Sequence, residues 1–384
     1  MNSTEFDLET TLYLFLPGLL GLLLGLFIFQ TIIRERRAPY LIATLAFGVV
    51  SGIVSILDRI DGLPAIPNAH SFALSLSLSC TGLQFLFFFL FIEELRNYHP
   101  HAGRLVIAFT LVSVQIIVLW CIYWFQGQGT VTGNLWLLAD LAYGALGVFV
   151  FLGCAAPVYN QTYRLTREPR SSWLSVAVIL IGAGQALGLL KDLTDFFAPP
   201  GDFKNIIGEI ATYNDALALA GIILFTIVYV SNVDYIYRLP HDNFALMVSL
   251  KTGETIHFVR FKTRAKVDLN QDLLSGLLST INSVFQSIMA TSTSIKEISS
   301  RNATLLAESG RWIVATIITE KPSAILDEAL NRYVDHFERM FSVRLGDKST
   351  FVNDYDAART LLKKIFPFFV VDDGTVDKNS HPAE

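Results

Sequence analysis

Polar and ionisable side chains interrupt several long apolar runs of this chain, near one end of each run. A charged group inside a bilayer is costly, so each one needs a partner or a function. Lys191 is the main cation among them, and carboxylates from neighbouring runs oppose it. Together these groups predict a polar cavity in which a small ligand binds. The candidate binding residues are Asp140, Gln185, Lys191, Glu209, Tyr213, Asn214 and Asp215.

A structural interpretation of the same residues stays open. In that interpretation Lys191 pairs with a neighbouring carboxylate, and the other polar side chains extend to the lipid headgroups. The third apolar run adds hydroxyl groups at the same depth, from Ser71, Ser75, Ser77 and Ser79.

Other chemistries fit these residues less well. A retinal-binding protein carries a lysine in the middle of its seventh span, and the seventh run here has none. A zinc hydrolase needs clustered histidines, which the apolar runs lack. An intramembrane aspartyl protease would pair Asp140 with Asp215, but neither lies in a Gly-x-Gly-Asp setting. The net charge of −5, without a basic stripe, gives no sign of nucleic-acid binding. We therefore expect no enzyme activity, no cofactor and no metal.

Seven predicted membrane spans position the candidate residues. The chain is 52% hydrophobic and only 16% charged, whereas soluble proteins are about a quarter charged. A helix of about 20 apolar residues crosses the hydrocarbon core. The predicted spans are residues 11–33, 40–57, 71–92, 105–125, 135–159, 173–196 and 206–231.

Arginine residues collect in the connections on one side of these spans. Loops rich in Lys and Arg stay in the cytoplasm, and the opposite side has little beyond Arg59 and Lys204. We therefore predict a multi-pass protein of the plasma membrane, with its amino end outside and its carboxyl end in the cytoplasm. The arginines of the cytoplasmic side are Arg34, Arg36, Arg37, Arg96, Arg104, Arg164, Arg167, Arg170 and Arg238.

Residues 240–371 have the composition of a soluble domain, and a polar tail at 372–384 is predicted to be disordered. Lys251-Thr252-Gly253-Glu254 between two strand patterns is a hairpin signal. The predicted elements are, in order, strands at 245–250 and 255–261, a helix that starts after Asp268 or Asn270, strands at 295–299, 304–307 and 311–319, a helix after Pro322 and a helix at 350–366.

This order of elements resembles the longin domain, a relative of the roadblock and profilin folds, over roughly residues 243–366. The stretch Asp272-Leu273-Leu274-Ser275-Gly276-Leu277-Leu278-Ser279-Thr280-Ile281 and the later Phe337-Glu338-Arg339-Met340-Phe341 look like archaeal members of that group. The resemblance implies a cytoplasmic α+β domain that binds a small GTPase or pairs with a second copy as a homodimer. A PAS or GAF sensor module is the alternative, but each usually places its helices differently.

The membrane half, residues 1–238, resembles the seven-helix sensor region at the amino end of some bacterial and archaeal histidine kinases. The likeness lies in the seven-span topology and in Tyr237-Arg238-Leu239-Pro240, which leaves the last span. The chain departs from those kinases downstream, because the residues after 240 are too few for a dimerisation helix pair and an ATP-binding domain. We therefore predict a seven-helix all-α membrane bundle followed by a longin-like domain.

The leading functional hypothesis is a membrane receptor. A ligand in the outward polar cavity would move the seventh span, whose helix is predicted to continue to Pro240 and to act on the longin-like domain. A coupling of about 1–3 kcal/mol between the two sites suffices for a switch. Two alternatives stay open: a membrane-anchored trafficking or scaffold protein without a ligand, and a transporter with a regulatory domain.

Overall fold

The structure, a computed structural model, divides the chain into two compact units. The membrane unit consists of Met1–Glu93 and Pro100–Ile236, and the carboxyl-terminal unit consists of Glu94–His99 and Tyr237–Glu384. The residues described are 18, 21–29, 39–59, 68–125, 130–197, 201–231, 239–263, 276, 296–300, 303–347, 352–366 and 369.

Six helices of the described chain are long and apolar enough to cross a membrane, which makes the chain a multi-pass membrane protein. They match the second to seventh predicted spans. The first predicted span, 11–33, lies largely outside the described residues, although 21–29 are helical. The six helices are Pro39–Arg59, Ala69–Arg96, Ala102–Trp124, Gly133–Thr166, Pro169–Phe197 and Lys204–Ser231.

Two of these six are not uniform α-helices. A π-helical segment interrupts the helix of the fifth predicted span, and a short turn interrupts that of the seventh. The helices are α1 (Pro39–Arg59), α2 (Ala69–Arg96), α3 (Ala102–Trp124), α4 (Thr130–Val148), the π segment (Phe149–Ala155), α5 (Ala156–Thr166), α6 (Pro169–Phe197), α7 (Gly201–Ala211) and α8 (Asn214–Ser231).

The π segment has a local cause in Pro157. Proline has no N–H, and its ring clashes with the carbonyl four residues before it, here that of Gly153. At the end of the segment the N–H of Ala156 donates to the carbonyl of Phe151, five residues back. The wider π turn thus lets the chain pass through the proline without ending the helix.

The turn at Thr212 and Tyr213 corrects the prediction of one continuous helix at 206–231. The Tyr213 N–H donates to the Ile210 carbonyl at 3.2 Å, a three-residue spacing that tightens the end of α7. Asn214 then starts α8. Short polar side chains such as asparagine favour helix starts over helix interiors, which explains the position of the break.

The carboxyl-terminal unit contains a five-stranded sheet in which all neighbouring strands are antiparallel. The strand order is β2-β1-β5-β4-β3. Every residue of the central strands β1 and β5 is buried, so both strands are covered on both faces. Gly253, with φ of 97°, provides the left-handed residue of the β1–β2 hairpin. The strands are β1 (Asn243–Leu250), β2 (Thr255–Arg260), β3 (Glu297–Ser299), β4 (Thr304–Ser309) and β5 (Ile313–Thr319).

Helix α9 (Ala324–Met340) packs on β4 and β5. The Ser323 hydroxyl caps it by accepting the Leu326 N–H at 3.3 Å. Its apolar face includes Leu330, Tyr333 and Phe337, all 0% exposed. The predicted helix after Pro322 is therefore confirmed.

The predicted helix at 350–366 is wrong as a single element. Beyond α10 (Ser342–Gly346), the chain forms a 3-10 turn (Val352–Tyr355) and the short helix α11 (Ala358–Ile365). Asp354 and Asp356 lie around this break, and aspartate side chains compete with the helix for backbone hydrogen bonds. Three further predictions lie outside the described residues: most of the helix after Asp268 or Asn270, the helical connection through Tyr237 and Arg238, and the tail from Asp372.

Candidate functional site

Glycine residues bring α4, α6 and α8 close together at the end of the membrane unit that is poor in arginine. A Cβ at Gly144 would lie 3.0 Å from the Leu189 Cβ, and one at Gly147 would lie 2.7 Å from the Gln185 Cγ. On the other side of α6, a Cβ at Gly184 would lie 2.5 Å from the Asn214 carbonyl oxygen. Small residues permit such close approach between membrane helices.

Polar side chains of three helices meet at this crossing. The Tyr143 hydroxyl of α4 and the Gln185 side chain of α6 share a hydrogen bond. Tyr143 also interacts electrostatically with Asp140 on its own helix and with Asp215 at the start of α8. Gly188 leaves room for the Asn214 amide, whose Nδ2 would lie 3.5 Å from a Cβ at that position.

The charges at this crossing are unequal. Asp140 is attracted by Lys191 and repelled by Asp192, and Asp192 is in turn repelled by Asp195. Lys204 forms an ion pair with Asp195 at 2.8 Å, so that carboxylate has its own cation. We call the linked residues the charged cluster: Asp140, Tyr143, Gln185, Lys191, Asp192 and Asp215.

The other predicted binding residues lie at the edge of this cluster. Asn214 is half-buried, whereas Glu209 and Tyr213 are exposed, Tyr213 by 65%. Tyr213 lies in the break between α7 and α8 and Glu209 in the last turn of α7, where its carbonyl accepts a hydrogen bond from the Thr212 hydroxyl at 2.6 Å. Lys191 is also exposed, and its side chain interacts with Asp140 and Asp192.

Aromatic rings adjoin the charged cluster through Tyr143, whose ring stacks on Phe85 with centroids 5.2 Å apart. Phe85 contacts Phe151 of the π segment at 5.1 Å, and Phe151 contacts Phe88 at 5.3 Å. Phe88 reaches Phe225 of α8 at 6.2 Å. These rings form an apolar layer, the aromatic layer, that borders the polar groups.

The serines of the third predicted span have a different environment. The hydroxyl groups of Ser51, Ser55, Ser77 and Thr81 form a chain of hydrogen bonds of 2.8–2.9 Å between α1 and α2, which we call the hydroxyl cluster. The Ser75 hydroxyl donates to the Leu119 carbonyl of α3 at 3.0 Å. These hydroxyls are thus used for contacts between helices.

A buried ion pair joins α2 and α3 at the arginine-rich end of the unit. Glu93 is 1% exposed, and Arg104 contacts both of its carboxylate oxygens, at 3.0 and 3.1 Å. The His101 backbone N–H also donates to this carboxylate at 3.0 Å. The short connection between these helices is therefore closed by a charged hydrogen-bond network.

Sequence reasoning did not include Tyr143 among the site residues. Its position three residues after Asp140 places both on one helix face, a signal that was available in the sequence. Asp192 is likewise absent from the predicted binding residues, although it directly follows Lys191 in the sequence. The contacts of Gly144 and Gly147 with α6 depend on how the helices cross, which no local pattern reveals.

Neither a metal-ligand group in the described part of the chain nor a known relative points to a function for the charged cluster. Within the described ranges, no three His, Cys, Asp or Glu side chains come together as metal ligands. No protein-family model matches the chain, and neither a curated protein nor a solved structure matches it.

Proposed function

We propose that this chain is a membrane receptor that binds a small ligand at the charged cluster. The observation that carries the proposal is the convergence of polar groups from α4, α6 and α8: Asp140 and Asp192 both interact with the Lys191 ammonium, and Asp215 interacts with Tyr143. Such an excess of charge at membrane depth is costly unless the residues serve a function.

The ligand would reach the cluster from outside the cell. The arginine-rich connections after α2 and α5 support a cytoplasmic position for that side, because Lys and Arg accumulate in cytoplasmic loops. The charged cluster is at the other end of the spans. We accordingly place the protein in the plasma membrane with its amino end outside and its carboxyl-terminal unit in the cytoplasm.

The aromatic layer favours a receptor over a transporter. A transport path would need polar groups that continue through the membrane. Here the Tyr143 ring leads directly to Phe85, Phe151 and Phe88, all within 5.1–5.3 Å of the next ring in the series. The polar groups on α4 therefore give way to packed aromatic rings about two turns further along the same helix, at Phe151.

The output would be the carboxyl-terminal unit acting as a longin-like domain. The described elements support this: two strands, a three-strand segment and then helices, in the order that the resemblance implies. A domain of this kind binds a small GTPase or associates with a second copy. A membrane-anchored scaffold would share this domain and would lack any ligand response.

A stability screen on the full chain in lipid nanodiscs tests ligand binding. Amines, amino acids, carboxylates and sugars would be added singly, and the melting temperature measured. A ligand at a hundred times its Kd stabilises the folded chain by about 2.7 kcal/mol. We expect at least one compound class to stabilise the native chain and the Asp195→Asn control, but not Asp140→Asn or Lys191→Gln.

The same screen separates the receptor from the scaffold. A compound that stabilises all four chains equally would show that it binds elsewhere. A chain that responds to no class would favour the scaffold function.

Capture of small GTPases from the same genome tests the output. The full chain in nanodiscs would be exposed to each GTPase loaded with GDP or with a GTP analogue. Nucleotide-dependent capture supports the GTPase partner. Capture of none of them, with a second copy found by cross-linking, would instead assign self-association as the output.

A further inference from the structure

The segment Glu94–His99, which consists of the last three residues of α2 and the three that follow them, belongs to the carboxyl-terminal unit. It is separated from the rest of that unit by well over a hundred residues of sequence. Its position there rests on contacts with three separate elements of the unit.

The first contact is with the residues that lead into β1. The His241 imidazole is 6% exposed, and its Nε2 lies 3.0 Å from the Arg96 carbonyl oxygen. This places Nε2–H as the donor, because a carbonyl only accepts. A buried histidine is thus used to bind the backbone of the segment.

The second contact is with the start of α9. The Ala324 N–H donates to the Asn97 carbonyl at 3.5 Å, and the Tyr98 hydroxyl donates to the Asp327 carboxylate at 3.3 Å. The first N–H groups of a helix have no partner within the helix, so they are open to an outside acceptor. The Asn97 carbonyl fills that role for Ala324.

The third contact is electrostatic and involves the edge of the sheet. Tyr98 interacts with Lys296 and Glu297 at the start of β3, as well as with Asp327. The nearby Asp327 carboxylate is the main cause that raises the pKa of Tyr98, which agrees with a hydroxyl that donates to it.

We propose that this surface, formed by His241, Ala324, Asp327 and the start of β3, is a docking site for the chain's own segment Glu94–His99. The segment includes Glu94–Arg96, the last residues of α2, so the surface holds the end of that helix. This contact does not involve the predicted helical connection at Tyr237. It goes beyond the receptor proposal and holds equally for a scaffold.

Hydrogen exchange of the full chain in nanodiscs tests the docking. The Ala324 amide reports the contact directly, because its described acceptor is the Asn97 carbonyl. Tyr98→Phe removes one hydroxyl from a residue that is already 37% exposed, so folding is preserved. We expect exchange around Ala324 to rise about two- to fivefold, as for the loss of one hydrogen bond.

Tyr163→Phe is the matched control, because Tyr163 is 38% exposed and belongs to the membrane unit. It should leave the exchange around Ala324 unchanged. His241→Ala should raise that exchange further, and His241→Gln, which keeps an N–H donor, should partly restore protection. An Ala324 amide that exchanges freely in the native chain, or that ignores both Tyr98→Phe and His241→Ala, would overturn the proposal.

Discussion

The hydroxyl cluster and the charged cluster use polar residues of the membrane unit in opposite ways. In the hydroxyl cluster, Ser77 bonds to Ser51 and Ser55 across two helices, and every group involved is neutral. In the charged cluster, Asp140 is repelled by Asp192 while both compete for Lys191. The two clusters therefore differ in charge balance. The hydroxyls form hydrogen bonds with one another without any net charge, whereas the carboxylates of the charged cluster repel one another around a shared ammonium group. We propose that only the charged cluster serves ligand binding.

The largest expected loss of stability comes from breaking the buried ion pair between Glu93 and Arg104. In Arg104→Leu the buried Glu93 carboxylate loses its contacts with the Arg104 guanidinium, and removing one partner of a buried pair costs about 3–5 kcal/mol. Denaturant unfolding of the full chain in nanodiscs would measure the loss. Arg164→Leu removes an exposed arginine and should change the stability little. Equal losses in the two variants would contradict a structural role for the pair.

A buried ionisable group also lies in the carboxyl-terminal unit, where His257 is neutral and its protonation opposes folding. Burial is the main cause that lowers the pKa of His257 to about 4 from an ordinary value near 6.5, and the positive charge of Arg359 adds to it. Between pH 6.5 and 4 the unfolded chain therefore binds more protons than the folded chain. Stability is fully present above pH 6.5 and falls as the pH drops, by at most about 1.4 kcal/mol per pH unit.

Hydrogen exchange of the β1 amides, measured in the full chain at several pH values, would show this dependence of stability on pH. His257→Gln should flatten the dependence between pH 6.5 and 4. His336→Gln, on α9, should leave it in place. A dependence that survives in His257→Gln would assign it to other groups.

Removing a hydroxyl from the hydroxyl cluster should have a smaller effect. In Ser77→Ala the hydroxyls of Ser51 and Ser55 lose a shared partner, which costs about 1 kcal/mol. Ser79→Ala is the matched control on the same helix, because its hydroxyl donates to the Ser75 carbonyl within α2. Unfolding of both variants in nanodiscs should show the larger loss for Ser77→Ala.

The smallest effect on stability is expected for the charged cluster itself. Asp140→Asn keeps the size of the side chain and removes the repulsion with Asp192. We expect the free energy of unfolding to change by less than about 0.5 kcal/mol, or to rise. A loss as large as that of Arg104→Leu would show that Asp140 is a structural residue, and the distinction between the two clusters would fail.

Most elements of the fold could be predicted where a short stretch of sequence determines them. Apolar runs and their flanking arginines predicted six of the spans to within several residues. The hairpin signal at Gly253 and the helix expected after Pro322 predicted β1, β2 and α9. The π segment at Phe149–Ala155 and the break at Thr212 were missed. Each depends on a few residues within a run whose average composition is uniformly apolar.

The candidate site was less predictable, because its contacts join distant parts of the chain. Charge and depth identified Asp140, Gln185 and Lys191, but the hydrogen bond from Gln185 to Tyr143 depends on how α4 crosses α6. The contact between His241 and the Arg96 carbonyl joins residues 145 positions apart. Neither contact can be predicted from the spacing of residues within one segment of the chain.

The π segment also sets the rotational relation between the two ends of one long helix. Each residue turns an α-helix by about 100°, so an extra residue inserted in the middle turns everything beyond it by that amount. Asp140 and Tyr143 precede the segment, whereas Tyr159, which is 1% exposed, follows it. Deletion of one residue between Phe149 and Ala155 would therefore leave the helix almost as long while pointing one of its halves at different neighbours.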